Sequence, residues 1–180
     1  IALGWVLSIV RRGMAAMERI AEVLTTEPAI RDDDAAREAV ISGAIEFRDL
    51  TFAYEGRTPA LRNVSLSIPA GATVAIVGPT GSGKSTLAAM ISRLFDPPRG
   101  ACLLDGREIH EISLESLRRA VGYVPQESFL FSRSIRENIA FGTAQPSEAT
   151  IRWAGSVAGI AEEIEAFPEQ WETVVGERGL

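Results

Sequence analysis

Lysine is nearly absent from this sequence: Lys84 is the only one, and every other member of the 18 Lys and Arg residues is arginine. Cysteine and histidine are as scarce, with one each, Cys102 and His110. A lone cysteine forms no internal disulfide and has no second thiol with which to share a metal. Cys102 therefore reads as a small buried apolar residue in a reducing setting. Positive charge is not in excess either. The formal net charge is -6, which leaves no basic surface for a phosphate polymer and argues against nucleic acid as a partner. A long apolar run is also missing. The apolar opening, Ile1 to Val10, is about half of what a helix rising 1.5 Å per residue needs to cross a bilayer.

What is present is enough for a folded domain, since 46% of the 180 residues are hydrophobic. The first residue is Ile1 rather than methionine, so the chain is expected to begin inside a longer polypeptide or after processing. Arg11 and Arg12 follow the apolar opening at once, as where a membrane helix meets the cytoplasm, with Trp5 as an interfacial anchor. A helix buried in a soluble domain remains the alternative. A signal peptide fits worse, because its charges should precede the apolar run. From Met14 the pattern turns amphipathic, with Met17, Ile20, Ala21 and Leu24 on one face. The helix should stop before Pro28. Residues 28–43, with the acidic run Asp32-Asp33-Asp34, read as a solvated linker, because three consecutive carboxylates do not by themselves surround an ion.

From Ala44 the periodicity changes. Ile45 to Tyr54, Val64 to Ile68, Ala101 to Leu104 and Val121 to Val124 read as strands, and Thr73 to Val77 as a strand buried on both faces. Leu87, Met90, Ile91, Leu94 and Phe95 form one helical stripe, which Asp96-Pro97-Pro98 ends. Ser113 can cap a short helix. The stretches 134–141, 147–158 and 160–167 read as helices. These elements predict an α/β core, 44–180, that passes into the start of a helical subdomain.

The unique lysine lies in Gly78-Pro79-Thr80-Gly81-Ser82-Gly83-Lys84-Ser85-Thr86, a phosphate-binding P-loop pattern placed after a strand and at a helix start. Glycines let successive amides point inward, and the helix adds its positive end. Lys84 reaches the β- and γ-phosphates, Ser85 can ligate Mg²⁺ through its hydroxyl, and Thr86 can donate to the α-phosphate. A planar, forked arginine would not fit the same cradle. A dinucleotide-type turn fits less well, since Thr86 stands where its third glycine would be. Tyr54 offers a ring for a purine. Gln126, after Val124-Pro125, has an amide oxygen for Mg²⁺ and an amide nitrogen for an attacking water.

Together these residues resemble the nucleotide-binding domain of an ATP-binding cassette (ABC) transporter, of the exporter type that carries membrane domain and ATPase in one chain. Phe52-Ala53-Tyr54 resembles the A-loop, Gly78 to Thr86 Walker A, and Val124-Pro125-Gln126 the Q-loop. Phe129 to Ile139 resembles the entry to the helical subdomain, and Val175 to Gly179 the stretch before the signature. Gly13 to Leu24 resembles the cytoplasmic extension of the last membrane helix, which makes 1–27 the end of a transmembrane domain. The resemblance implies a P-loop NTPase fold that binds ATP and Mg²⁺ and pairs with a second nucleotide-binding domain. It also implies coupling helices that Gln126 and Glu177 contact, and a plasma (inner) membrane location with this portion on the cytoplasmic side. The signature, the Walker B aspartate, the catalytic glutamate and the switch histidine have no counterpart up to Leu180. His110 is expected on the surface and does not replace that histidine. No catalytic residue is assigned, and this portion alone is expected to bind ATP without turning it over at a transporter's rate. The isolated portion is also expected to leave a sheet edge unpaired. Alternatives are a soluble ABC-type ATPase and an ATP-binding module without hydrolysis.

Overall fold

The computed structural model describes residues 2–126, 129–143 and 145–176. They fall into two units that divide between Gly122 and Tyr123.

The first unit opens with helix α1, Ala2–Thr25. It stops where the sequence predicts: the hydroxyls of Thr25 and Thr26 donate to the carbonyls of Ala21 and Glu22, each at 2.7 Å, ahead of Pro28. From Trp5 on, its large apolar side chains, among them Met17 and Leu24, are exposed. Among the described residues no helix is long and apolar enough to cross a membrane.

Strands β1 (Ile45–Phe52), β2 (Leu61–Ile68), β3 (Cys102–Leu104) and β4 (Arg107–Glu108) form one antiparallel sheet in the order β2-β1-β3-β4. β1 lies between β2 and β3, so Phe47 and Leu50 are almost fully buried. They pack with Leu61, Met90, Cys102, Ile109, Ile112 and Leu117 into a single core. Burial pushes the Cys102 thiol up to about 12, so the cysteine is an inert core residue, as its solitude suggested.

Helix α2, Lys84–Ile91, is shorter than the apolar stripe implied. Arg93 adopts φ 47, its N–H donates to Met90 O at 3.1 Å, and Leu94 N–H donates to Ala89 O at 3.0 Å. That pair of bonds is the Schellman stop, usually built on glycine. Here the side chain gives the reason for arginine: the guanidinium is 1% exposed, with Nε on Asp96 at 2.7 Å and Nη2 on the carbonyl of Arg31 at 3.2 Å. Leu94 and Phe95 therefore leave the helix.

Two expected strands are not paired. Thr73–Val77 and Val121–Val124 carry no ladder among the described residues, and Val77 and Val124 are 91% and 93% exposed. The reading of Thr73–Val77 as a strand buried on both faces is thus corrected. A strand exists only by pairing, and a β-branched run without neighbouring runs stays extended and wet.

The surface reading of His110 is overturned. It is 5% exposed on the turn Ile109–Glu111, with Nδ1 2.5 Å from Glu108 Oε1 and Nε2 3.7 Å from Asp96. A histidine between two carboxylates can be buried because its polar edge is satisfied.

Residues 31–44 are mostly exposed yet fastened to the core, so they form a strap. Arg99 holds Asp33 at 2.6 Å, and Asp32 accepts from Leu114 N–H, the first residue of helix α3 (Leu114–Ala120), at 2.7 Å. Arg37 N–H donates to Glu111 O while its carbonyl accepts from Ser113 N–H, both at 2.9 Å. Asp105 accepts from the amides of Ser42, Gly43 and Ala44 at 2.6, 3.3 and 2.8 Å.

The second unit contains helices α4 (Ile135–Ala140), α5 (Glu148–Val157) and α6 (Ala161–Glu165). Ser134 and Glu137 make a reciprocal capping box at the start of α4, and Ser147 caps α5. Ile151, Ile164 and Trp171 form a small separate core. Gly155 is required there, because a Cβ on it would lie 2.5 Å from the Trp171 ring.

Candidate functional site

The phosphate-type loop enters α2 through two left-handed glycines, Gly81 at φ 82 and Gly83 at φ 88. Gly83 also has no room for a side chain. A Cβ there would stand 2.7 Å from the carbonyl oxygen of Ala60 and 2.8 Å from Leu61 Cδ2, so the loop is seated against the start of β2. Gly83 is the N-cap of α2, no side chain caps the helix, and its first turn holds no acidic residue. The leading amides of α2 thus keep their donors and their share of the helix dipole for an outside acceptor, the arrangement that suits an anion.

Lys84 spans the loop that precedes it. Its ammonium donates to the carbonyls of Gly78 and Pro79, both at 2.8 Å, and reaches Ser82 Oγ at 3.4 Å. Ser82 N–H closes the turn onto Pro79 O at 3.3 Å, around Thr80. A compact three-donor ammonium can serve several loop oxygens and still lie at the mouth of the cradle, which a guanidinium plane cannot copy. The answer to the solitary lysine is thus geometric.

Ser85 is exposed and Thr86 is buried at the start of α2. Tyr54, 32 residues before Thr86, meets it directly: the two hydroxyl oxygens are 2.8 Å apart. Tyr54 packs edge-on against Phe52 and Phe95, with ring centroids 5.2 and 5.1 Å away. The structure therefore brings Tyr54, Gly78, Pro79, Thr80, Gly81, Ser82, Gly83, Lys84, Ser85 and Thr86 into the first unit. Gln126 is an exposed residue of the second unit, and Glu177 lies outside the described residues.

Sequence reasoning missed Phe95 as a neighbour of Tyr54, because the helical stripe assigned it to the core. Phe52 stands two residues before Tyr54, at the end of β1. Among the described residues no group of three or more His, Cys, Asp or Glu side chains could hold a metal. The chemistry of the donor set fits Mg²⁺ only as a companion of phosphate: Ser85 supplies one neutral hydroxyl, and the remaining oxygens would come from ligand and water.

Comparison with known proteins places this geometry. The ABC transporter family description matches residues 61–176. The chain belongs to the ABC transporter family. Among its ABC relatives, the mitochondrial iron-sulfur clusters transporter atm1 of Neurospora crassa is 41% identical over 180 residues, covering 99% of this chain and 25% of that protein. The ATP-dependent lipid A-core flippase of Syntrophus aciditrophicus is 42% identical over 171 residues, covering 94% of this chain and 28% of the flippase. A solved structure of a bacterial Atm1-family ABC exporter with ATP bound superposes with a TM-score of 0.85 at 38% identity, over 98% of this chain and 31% of that one. The chain thus spans about a quarter to a third of the length of these relatives. Its fold is that of the P-loop ABC ATPase domain, and family membership carries ATP binding with it.

Proposed function

We propose that this chain is the ATP-binding part of a membrane exporter, holding Mg·ATP at Gly78–Thr86 so that a complete protein can couple hydrolysis to transport. The observation that carries the reading is the uncapped, acid-free N-terminus of α2, with Lys84 folded across the loop in front of it. The amides of the loop and first helical turn bind the polyphosphate chain, and Lys84 turns from the loop carbonyls toward the β- and γ-oxygens. Thr86 donates to the α-phosphate, and Tyr54 lies under the base. Ser85 is the residue of the cradle that would hold Mg²⁺, whose charge neutralises the phosphates when it is bound. Gln126 and Glu177 meet the coupling helices of the membrane domain, and a second nucleotide-binding domain closes over the site.

Relatives that share this region are named for cargoes as unlike as iron-sulfur clusters, lipid A-core and β-(1→2)glucan. That supports a common ATP engine whose cargo is selected outside residues 1–180. The run Ile1–Arg12 supports attachment to a membrane helix, and the reading takes the membrane as the plasma (inner) membrane with this portion on the cytoplasmic side. The proposal is tested by ATP hydrolysis of the full-length parent in proteoliposomes. Turnover abolished by Lys84→Ala is expected, and turnover that survives the substitution would overturn the proposal.

A further inference from the structure

The hydroxyl of Tyr54 lies 2.8 Å from Thr86 Oγ1, a contact that ring stacking on a base does not require. Stacking needs only the aromatic face, which phenylalanine supplies equally. The surroundings of the ring are also specific. Phe52 and Phe95 approach Tyr54 at interplanar angles of 82° and 88°, and their own centroids are 5.9 Å apart. The three centroids form a nearly equilateral triangle, so both phenylalanines brace Tyr54 from one side. Phe95 reaches this position because the Schellman stop at Arg93 turns the chain out of α2 immediately before it.

We propose that Tyr54 and Phe95 act as positioning residues which lock the base platform to the phosphate-binding helix. In this arrangement the tyrosine O–H donates to Thr86 Oγ1. A hydroxyl offers one donor and two acceptor sites, so accepting from Tyr54 fixes the rotor of Thr86 and leaves its own hydrogen to donate elsewhere. Thr86 is 7% exposed at the first turn of α2, so its hydrogen has few directions open, and the phosphate cradle is one of them. The chain of donors then runs Tyr54 to Thr86 to a phosphate oxygen, each bond polarising the next. Phe95 acts on the ring alone, keeping it upright for the base and making no bond toward the phosphates.

The inference rests on the nucleotide-site reading above, and crossed binding measurements separate the two. Displacement of a fluorescent ATP analogue from the chain by Mg·ATP and by magnesium tripolyphosphate reports base-dependent and base-independent affinity. Tyr54→Phe keeps the ring, so a purely stacking role leaves both affinities unchanged. The lock instead predicts a loss of about five-fold for both ligands, the value of one hydrogen bond of about 1 kcal/mol. Thr86→Val should lose more, and Tyr54→Phe should cost nothing further in its background, whereas Thr86→Ser should behave as wild type. Phe95→Leu should weaken Mg·ATP about three- to ten-fold and leave tripolyphosphate unaffected. Equal binding by Tyr54→Phe and wild type, or independent losses in the Tyr54→Phe/Thr86→Val double variant, would overturn the lock. Phe95→Leu binding both ligands as wild type would overturn the brace. If the wild-type chain binds neither ligand, or Lys84→Ala binds both as well, the nucleotide-site reading itself falls and the inference with it.

Discussion

Gly83→Ala should damage this fold far more than Gly81→Ala, although both glycines adopt nearly the same left-handed backbone, φ 88 and φ 82. Any residue with a Cβ costs about 1–2 kcal/mol in that conformation. For Gly81 nothing adds to that cost, because no atom lies within 4 Å of the added carbon. At Gly83 the carbon would stand 2.7 Å from the backbone oxygen of Ala60. A backbone atom at a strand start cannot rotate aside, so overpacking adds about 1–3 kcal/mol. The loop would have to lift off β2, carrying the leading amides of α2 with it. Amide hydrogen exchange of α2 and β2 in the folded chain reads this directly, at tenfold in protection for each 1.4 kcal/mol. Protection should fall about five- to thirty-fold for Gly81→Ala, and by about a further five-fold or more for Gly83→Ala. Gly78→Ala meets the rotatable Ser82 Oγ at 2.8 Å and otherwise only ordinary contacts, Ser82 Cβ at 3.5 Å and Lys84 Cδ at 4.0 Å, and should be the mildest of the three. If Gly83→Ala protected these amides as well as Gly81→Ala does, the seating of the loop on β2 would be refuted.

Three further outcomes follow from local geometry. The Asp105 carboxyl is held below the ordinary range chiefly by the amide of Ala44, then by that of Ser42. A depressed carboxylate stabilises above its unfolded value, about 3.9, and loses that contribution as pH falls through the folded one. Protection factors at Ser42 to Ala44, taken against the intrinsic exchange rate at each pH, should therefore hold at neutral pH, fall below about pH 4, and be lost at neutral pH in Asp105→Asn; protection factors that do not change with pH would contradict the strap's fastening. Ser134→Ala removes the capping box and should destabilise α4 by about 0.5–2 kcal/mol, seen as faster exchange at Glu137 and Asn138 with α2 unchanged. Gly155→Ala should displace the buried Trp171 at a cost of about 1–3 kcal/mol; in a Trp5→Phe/Trp153→Phe background its emission should shift to longer wavelength, and an unshifted spectrum would show that the helical core yields without moving the indole.

What was legible in the sequence depends on the range of the interactions involved. The P-loop was legible because its requirements are local: glycine where φ is positive, lysine where a compact cation must span a tight turn, and a helix start immediately after. The cap at Ser113 was legible for the same reason, as were helices beginning near Ser134 and Ser147, although the caps those two serines make were not read. Arg93 was not, since its role in ending α2 depends on a guanidinium buried against Asp96 and the carbonyl of Arg31, 62 residues away. His110 escaped because its satisfaction comes from Glu108 and Asp96, only one of which is near it in sequence. The acidic run at 32–34 looked like solvated linker, yet Asp32 and Asp33 find partners at Leu114 and Arg99. Thr73–Val77 has every local mark of a strand and forms no ladder among the described residues, because pairing is a property of two segments and cannot be read from one.

Calorimetric titration of Mg·ATP into this chain, beside the Lys84→Ala variant at matched fold, tests the central claim most directly. One site per chain is predicted in the wild type, and its loss in the variant. Undiminished binding without Lys84 would contradict the assignment of Gly78–Thr86 as the nucleotide cradle.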